Sequence, residues 1–459
     1  MAGIGFELNK IMAKGGYTSL FQAYAYAGLI GSGPWLIAVL SMGLLGLVLT
    51  GLGNMEAVRL FFVSISVIYG FTLVLTGPIQ MVLTRYAADQ QFSNRMDKIF
   101  PAYISSMAWI APGFAALGLV LFVGLVPGPM LFRLSAALLT VLVAMIWITG
   151  VFLSALKNYH AVLFAFAGGC CVSFFSAWAL AIRFGTGGVM LGITLGHAVL
   201  LLILGSAIFR EIGRSEATAD GLLPSFRKYW DLAVGGLFYN LGIWIDKFLY
   251  WWFDPGAEQI AGILYSSPVF DRVVFFSFLT IIPGMAVFLL KLETEFAGKN
   301  HAFYQHVLKK ATLGQILELK QAMIEALRDG LALLLKIQGL TTGLLILSTD
   351  RILGLLGLGA VQGGVFQVSL VGAFLLMIFL AMQTILYYLD KRRDALACGV
   401  IFTLVNGGVT ALGIQSGDRW FGFGFLAAAA AALLFSALRV NYHLRNIDYD
   451  TFTSQPMYR

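Results

Sequence analysis

Apolar runs of about twenty residues recur along nearly the whole chain, and they leave few folds open. A membrane-crossing helix needs roughly twenty apolar residues. Twelve such runs are readable, at about 18–49, 58–84, 101–125, 132–156, 159–182, 187–209, 229–253, 262–290, 330–349, 365–389, 395–415 and 419–438. In hydrocarbon every backbone group must find its partner inside the segment, so these runs are expected as helices. Composition agrees. The chain is 59% hydrophobic and 12% charged, with a mean hydropathy of +0.85. A soluble domain has about 45–50% apolar and about 25% charged residues. No polar stretch is long enough for a separate soluble domain. The expectation is an all-α polytopic membrane protein with about twelve helices.

The basic residues fix an orientation. With both termini in the cytoplasm, cytoplasmic segments hold Lys10, Lys14, Arg85, Arg95, Lys98, Lys157, Arg210, Arg214, Arg227, Lys228, Lys391, Arg392, Arg393, Arg439, Arg445, Arg459 and the run from Lys291 to Arg328. The opposite loops hold only Arg59, Arg133, Arg183, Arg351 and Arg419. Lys and Arg concentrate on the cytoplasmic side of membrane proteins, and an odd number of spans would scramble the alternation. The net charge of +7 is therefore read as topology, not as nucleic-acid binding. No short apolar run with a small-residue cleavage site opens the chain, so the first span is expected to be its own targeting signal. Ahead of it, Ile4, Phe6, Leu8, Ile11 and Met12 punctuate Glu7, Lys10 and Lys14. That pattern suits an interfacial amphipathic helix, or a plain flank.

Charges inside the spans are the most specific signal for function. Asp246-Lys247 and Asp271-Arg272 lie in the two spans on either side of the turn Asp254–Glu258 and are expected at matching depth. A charge facing lipid at mid-bilayer costs about 2.5–3.5 kcal/mol on insertion scales. All four are expected to face protein or water, with Lys247 paired to Asp271 and Asp246 to Arg272. A transport path needs such an interior, and a structural ion cluster would also produce it. Asn240, Tyr24, Tyr26, Tyr239, Trp244, Gln22 and Gln80 are candidates along the same path, because aromatic faces and amides suit sugars. Trp251, Trp252 and Phe253 are read as an interfacial belt.

Breaks in the spans supply candidate hinges. Gly31-Ser32-Gly33-Pro34 interrupts the first span, Pro78 the second and Pro283 the eighth. Proline removes a helix hydrogen bond and clashes with the preceding turn. Gly31 and Gly236 lie at nearly the same offset as Pro78 and Pro283, and each proline precedes a basic residue, Arg85 or Lys291. The pattern is a weak internal repeat of two six-helix lobes, 18–209 and 229–438, with an N-terminal segment 1–17, a linker 210–228 and a tail 439–459. Parallel repeats of this kind occur in transporters. Between spans eight and nine lies the one sizeable polar insertion, 292–329. It has a capping box at Thr312-Leu313-Gly314-Gln315, then Ile316, Leu319, Met323 and Leu327 at helical spacing. It is expected as amphipathic helices on the membrane surface, or as a docking site for a soluble partner.

Enzymatic motifs are missing from the chain. Of five histidines, only His197 falls in a span, with no catalytic partner at readable spacing. There is no nucleophile elbow, phosphate loop or H-E-x-x-H, and no metal spacing among Cys170, Cys171 and Cys398, which are read as core residues. No cofactor is expected.

The opening Met1-Ala2-Gly3-Ile4-Gly5-Phe6-Glu7-Leu8, with Ala23-Tyr24-Ala25-Tyr26-Ala27-Gly28-Leu29-Ile30-Gly31-Ser32-Gly33-Pro34-Trp35, closely resembles the PelG family, inner-membrane transporters of Pel exopolysaccharide systems. That family is placed in the multidrug/oligosaccharidyl-lipid/polysaccharide exporter (MOP) superfamily. The resemblance implies two six-helix lobes around a central cavity and export of a galactosamine-rich polymer. It implies as partners a cytosolic PelF-like glycosyltransferase and membrane proteins like PelD and PelE. Alternatives are a flippase of lipid-linked oligosaccharide, a cation-coupled small-molecule exporter, and a non-transporting scaffold of a synthase. The four span charges sum to zero, whereas a lipid-linked diphosphate would favour a net-positive cavity.

Overall fold

In the computed structural model the described residues are 16–453, apart from 52, 54, 157, 214–217, 219–220, 310 and 418–419. The amphipathic segment read at Ile4–Lys14 and the opening eight-residue motif lie outside them. Helices dominate: α1 (Tyr17–Gly51), α2 (Met55–Phe92), α3 (Ile99–Gly118), α4 (Met130–Ala155), α5 (Tyr159–Ile212), α6 (Leu222–Lys228) and α7 (Trp230–Phe253). A hairpin of β1 (Glu258–Ala261) and β2 (Leu264–Ser266) follows. Then come α8 (Asp271–Leu279), α9 (Ile282–Leu290), a π turn (Lys291–Phe296), α10 (Ala297–Leu308), α11 (Leu313–Leu347), α12 (Thr349–Leu356), α13 (Ala360–Tyr388), α14 (Arg392–Ser416), α15 (Phe423–Arg445) and α16 (Ile447–Thr453). The protein is an all-α polytopic membrane protein.

Among the described residues, ten helical stretches are long and apolar enough to cross a membrane. One of them, α5, has 54 residues. At 1.5 Å per residue it would reach about 81 Å, far beyond the roughly 30 Å hydrocarbon core. It is a hairpin. Gly192 packs on Ala177, Gly196 on Ser173 and Gly169 on Leu200, so each step forward in one half meets a step back in the other. The turn sits at Gly185, whose φ of 53° and ψ of −133° only glycine adopts without strain. Counting α5 twice makes eleven, and α7, with 24 residues, is long enough for a twelfth. A second hairpin, α14 with α15, closes through Gly424 against Thr410 and Gly413 against Trp420.

Two compact units divide the chain. One is Ser32–Pro268; the other joins the chain up to Gly31 to the chain from Val269. In the first, α4 packs on α2, α3 and α5, and α7 packs on α2. In the second, α13 packs on α8 and α15, and α11 on α9, α10 and α13. The division falls inside α1, at the Gly31-Ser32-Gly33-Pro34 break. It does not follow the halves 18–209 and 229–438: α7 groups with the first unit, and the start of α1 with the second.

Three sequence expectations change. The run read as a span from 262 includes Ile263, which lies in the hairpin turn, and Leu264 and Tyr265, which pair in the hairpin with register Ala261↔Leu264, Gln259↔Tyr265 and Glu258↔Ser266. The eighth crossing therefore opens at Asp271. Second, α11 runs from Leu313 through to Leu347 without interruption. The amphipathic stretch from Leu313 and the ninth apolar run thus form one helix. Its capping box is formed, Gln315 N donating to Thr312 Oγ1 at 3.4 Å and Thr312 N to Gln315 Oε1 at 3.1 Å. Third, Trp251 is buried in the core of its unit with Phe248, while Trp252 and Phe253 are exposed. Cys170 and Cys398 are buried as read, whereas Cys171 is exposed.

Candidate functional site

Most of the candidate path residues lie where α7 crosses α2. The crossing is close because two glycines meet. A Cβ on Gly236 would lie 2.5 Å from the Gly77 carbonyl oxygen, and one on Gly77 would lie 2.7 Å from the Gly236 oxygen. Small residues permit this backbone approach in membrane helices. Pro78 follows at once. It lacks the N–H that would have bonded the Val74 carbonyl, and one position away the Leu73 carbonyl accepts Asn240 Nδ2 at 3.0 Å. The loosened turn of α2 is thus served from α7.

A hydrogen-bonded file runs along α2 from this point. Gln80 Nε2 donates to Thr76 Oγ1 at 2.8 Å, Thr76 Oγ1 to the Thr72 carbonyl at 2.6 Å, and Trp147 Nε1 to Thr72 Oγ1 at 3.2 Å. Trp147 meets Tyr69 edge to face at 6.0 Å. Tyr69 Oη lies 2.8 Å from His197 Nε2, and His197 Nδ1 lies 2.8 Å from the Ile193 carbonyl. The carbonyl accepts only, so the network assigns the proton to Nδ1 and makes Nε2 the acceptor for the Tyr69 hydroxyl. His197 thus serves as a hydrogen-bonding residue between two helices.

Further along α7, Asp246 is 1% exposed. Lys247 Nζ lies 3.1 and 3.3 Å from its two oxygens and donates to the Ile243 carbonyl at 2.9 Å. Lys247 thus has its sequence neighbour as a counter-ion. Trp244 stacks on Phe248 at 6.0 Å, and Phe248 stacks on Phe71 at 5.1 Å. Tyr239 is half-buried. Asp271 and Arg272 belong to the other unit and occupy the first turn of α8, Arg272 exposed. They mark a helix end, not mid-span. An acidic side chain in a first helical turn is favoured by the helix dipole, which gives Asp271 a local reason to be there.

In that other unit, the start of α1 packs on α9. A Cβ on Gly31 would meet Leu289 at 2.4 Å, and one on Gly28 would meet Ala286 at 3.6 Å. Gly33 is buried, and Pro34 leaves the Ile30 carbonyl without its helical donor inside α1. Gln22 is exposed; Tyr24 and Tyr26 are half-buried. Pro283 stands at the start of α9, after a break at Thr280 and Ile281. The fully buried Gln338 of α11 repairs that break, its Nε2 donating to the Thr280 carbonyl at 2.9 Å. Neighbouring side chains commonly re-satisfy backbone freed by proline in membranes. Sequence reasoning passed over Gln338, although an amide in the apolar run 331–347 was a readable signal. It also passed over Glu293 and Tyr388, which bond at 2.8 Å, because Glu293 was counted into the polar insertion. Among the described residues no group of three or more His, Cys, Asp or Glu could hold a metal.

Comparison with known proteins places this geometry. The profile of the PelG family, exopolysaccharide exporters (EPS-E), matches residues 1–452. No curated protein matches the chain. Among solved structures, the Vibrio cholerae MATE transporter VcmN in its bent form aligns with a TM-score of 0.62 at 13% identity, covering 93% of this chain and 98% of that one. A MATE transporter in complex with MaL6 aligns at 0.61 and 13%, covering 92% and 97%. A MOP superfamily transporter from Pyrococcus furiosus aligns at 0.57 and 13%, covering 91% and 96%. At such identities the structures speak for the fold alone.

Proposed function

Since the chain belongs to the PelG family of exopolysaccharide exporters, we propose that it carries the Pel polymer, a galactosamine-rich glycan, across the bacterial inner membrane during biofilm matrix production. The observation that carries this reading is the family match over residues 1–452. The α2–α7 crossing supports it, with a hydrogen-bonded file set beside an aromatic stack. Sugar rings are polar at their edges and apolar on their faces, so they need both kinds of partner. Asp246, Lys247, Asn240, Tyr239 and Trp244 of α7, Asp271 and Arg272 of α8, and Tyr24, Tyr26 and Gln22 of α1 are the path residues in this proposal. Gly31, Gly33, Pro34, Pro78 and Pro283 are its hinges.

In this reading the halves 18–209 and 229–438 exchange their first helices, α1 packing on α9 and α7 on α2. Both termini lie in the cytoplasm, on the side rich in Lys and Arg. A PelF-like glycosyltransferase supplies the growing chain there, beside PelD-like and PelE-like membrane proteins. The family gives no reason to expect an enzyme.

The test is secretion. Polymer is measured outside cells carrying a clean deletion, complemented by the wild type or by Lys247→Gln, Asp271→Asn and Asn240→Leu variants, with protein level followed in parallel. Loss of polymer at normal protein level is expected for Asn240→Leu and for the charge variants. Full secretion from the deletion strain would end the export reading. Normal secretion from every variant would end the path assignment.

A further inference from the structure

The two units carry matching charge stations at the ends of their proline-broken helices. In the unit Ser32–Pro268, Arg85 pairs with Asp89 one turn on at 3.2 Å, and the Tyr229 hydroxyl donates to Asp89. In the other unit, Lys291 pairs with Glu295 one turn on at 2.6 Å, and Tyr24 lies within electrostatic reach of both. Tyr24 and Tyr229 are 205 positions apart, as are Gly31 and Gly236, and Pro78 and Pro283. The ion pairs are 206 positions apart, Arg85 to Lys291 and Asp89 to Glu295. The second copy therefore has one residue more. It also has the π turn Lys291–Phe296, and such a turn accommodates one extra residue in a helix.

With that register, the position enclosed by each ion pair is Ala87 in the first copy and Glu293 in the second. Both are fully buried, at 0% and 1% exposure. A methyl group satisfies the fold at this place, so packing does not call for a carboxylate. Glu293 Oε2 accepts the Tyr388 hydroxyl at 2.8 Å. Glu293 Oε1 is buried and has no hydrogen-bond partner among the described residues. An ionised carboxylate in that state costs several kcal/mol, and the usual relief is to take up a proton.

We propose that Glu293 is a proton-binding site of this exporter, loaded and unloaded during its cycle. The proposal rests on the export reading for its place in a cycle, and on the geometry alone for the site. Among the described residues the charged and titratable groups facing it are few. Tyr388 comes from α13, and Lys291 and Glu295, bound to each other, from its own turn. From α11 the residue against the turn is Gly330, while Arg328 and Asp329 beside it are exposed. The ligand is a proton because an alkali ion takes several oxygen ligands, and this site offers one carboxylate.

The test uses the purified full chain in lipid nanodiscs, with infrared difference spectra recorded as pH is stepped. A protonated-carboxyl band that vanishes as pH rises is expected in the wild type. It should be missing in Glu293→Gln and Glu293→Ala, the latter restoring the residue of the first copy, and displaced in Tyr388→Phe. In cells, Glu293→Gln should cut secreted polymer at least tenfold at normal protein level. Identical titrating bands in the wild type and Glu293→Gln would overturn the proposal. So would sodium at constant pH removing the band as rising pH does, which would make the site one for alkali ions. Normal secretion by Glu293→Gln would overturn its part in the cycle. A titrating band in a protein whose deletion leaves secretion intact would end the export reading and leave the proton site standing.

Discussion

The α2–α7 crossing is the place to test the packing argument, by Gly236→Ala. The new Cβ would lie 2.5 Å from the Gly77 carbonyl oxygen. A carbon and an oxygen in contact settle at about 3.3 Å or more. The nearest obstacle is backbone, with the Met81 side chain beside it at 2.7 Å, so the helices must part by roughly 0.8 Å to reach that separation. Asn240 Nδ2 is 3.0 Å from the Leu73 carbonyl, and the same displacement takes it to about 3.8 Å, outside hydrogen-bonding range. Overpacking costs about 1–3 kcal/mol and a lost bond to a buried acceptor about 1–3 kcal/mol. Together they amount to about 2–6 kcal/mol before relaxation. The control is Gly343→Ala in α11, where a Cβ meets nothing within 4 Å. There, helix propensity favours alanine by about 0.5–1 kcal/mol. Thermal unfolding of both variants in the same detergent should show a clear loss for Gly236→Ala and none for Gly343→Ala. Because one parting of the helices relieves both clashes, Gly77→Ala with Gly236→Ala should cost less than the sum of the singles. If Gly236→Ala melts with the wild type, or the pair is additive, the close crossing does not hold α7 in place.

Other features give separate outcomes. Gln338→Leu should lower unfolding stability by about 1–3 kcal/mol, because the Thr280 carbonyl loses its side-chain donor in a dry interior; an unchanged melting temperature would contradict the repair of the Pro283 break. Gly185→Ala should cost about 1–3 kcal/mol of backbone strain at φ 53°, seen as reduced melting temperature. Lys320, at 2.9 Å, holds the Asp448 carboxyl below its usual range, and Lys391, at 2.6 Å, does the same for Asp450. Depressed carboxylates stabilise above the ordinary carboxylate range and lose that contribution as pH falls through their folded values. Amide-exchange protection of Ile447–Thr453 should hold from neutrality to about pH 4 and fall below it. Lys391→Met should reduce that protection at neutral pH; an identical exchange rate would remove the pair from the docking of α16.

How much of the site was readable follows from the reach of each signal. Asn240, Trp244, Asp246 and Lys247 stood out because polar and aromatic groups are conspicuous in an apolar run. Their partners did not. The Leu73 carbonyl has no sequence signature, and neither has the Gly77–Gly236 contact until two helices are laid together. Lys247 has Asp246, its neighbour in the chain, as a counter-ion at 3.1 Å, a pairing that the reading of charges across the turn had not considered. Glu293 looked like part of a solvated insertion, because hydropathy reports a neighbourhood and cannot say that one carboxylate in it is covered by α13.

The sequence by itself determined that this chain is a bundle of membrane-crossing helices, and roughly where each begins. The cost of unsatisfied backbone in hydrocarbon acts locally, residue by residue, and leaves its mark in every apolar run. Tertiary structure alone decided which helices touch, that α7 leans on α2 and the start of α1 on α9, and that Leu264 and Tyr265 pair as a strand. Lipid is as apolar as leucine, so hydrophobicity does not choose between neighbours in a membrane; close backbone approach and buried hydrogen bonds do, and those exist only between segments far apart in the chain.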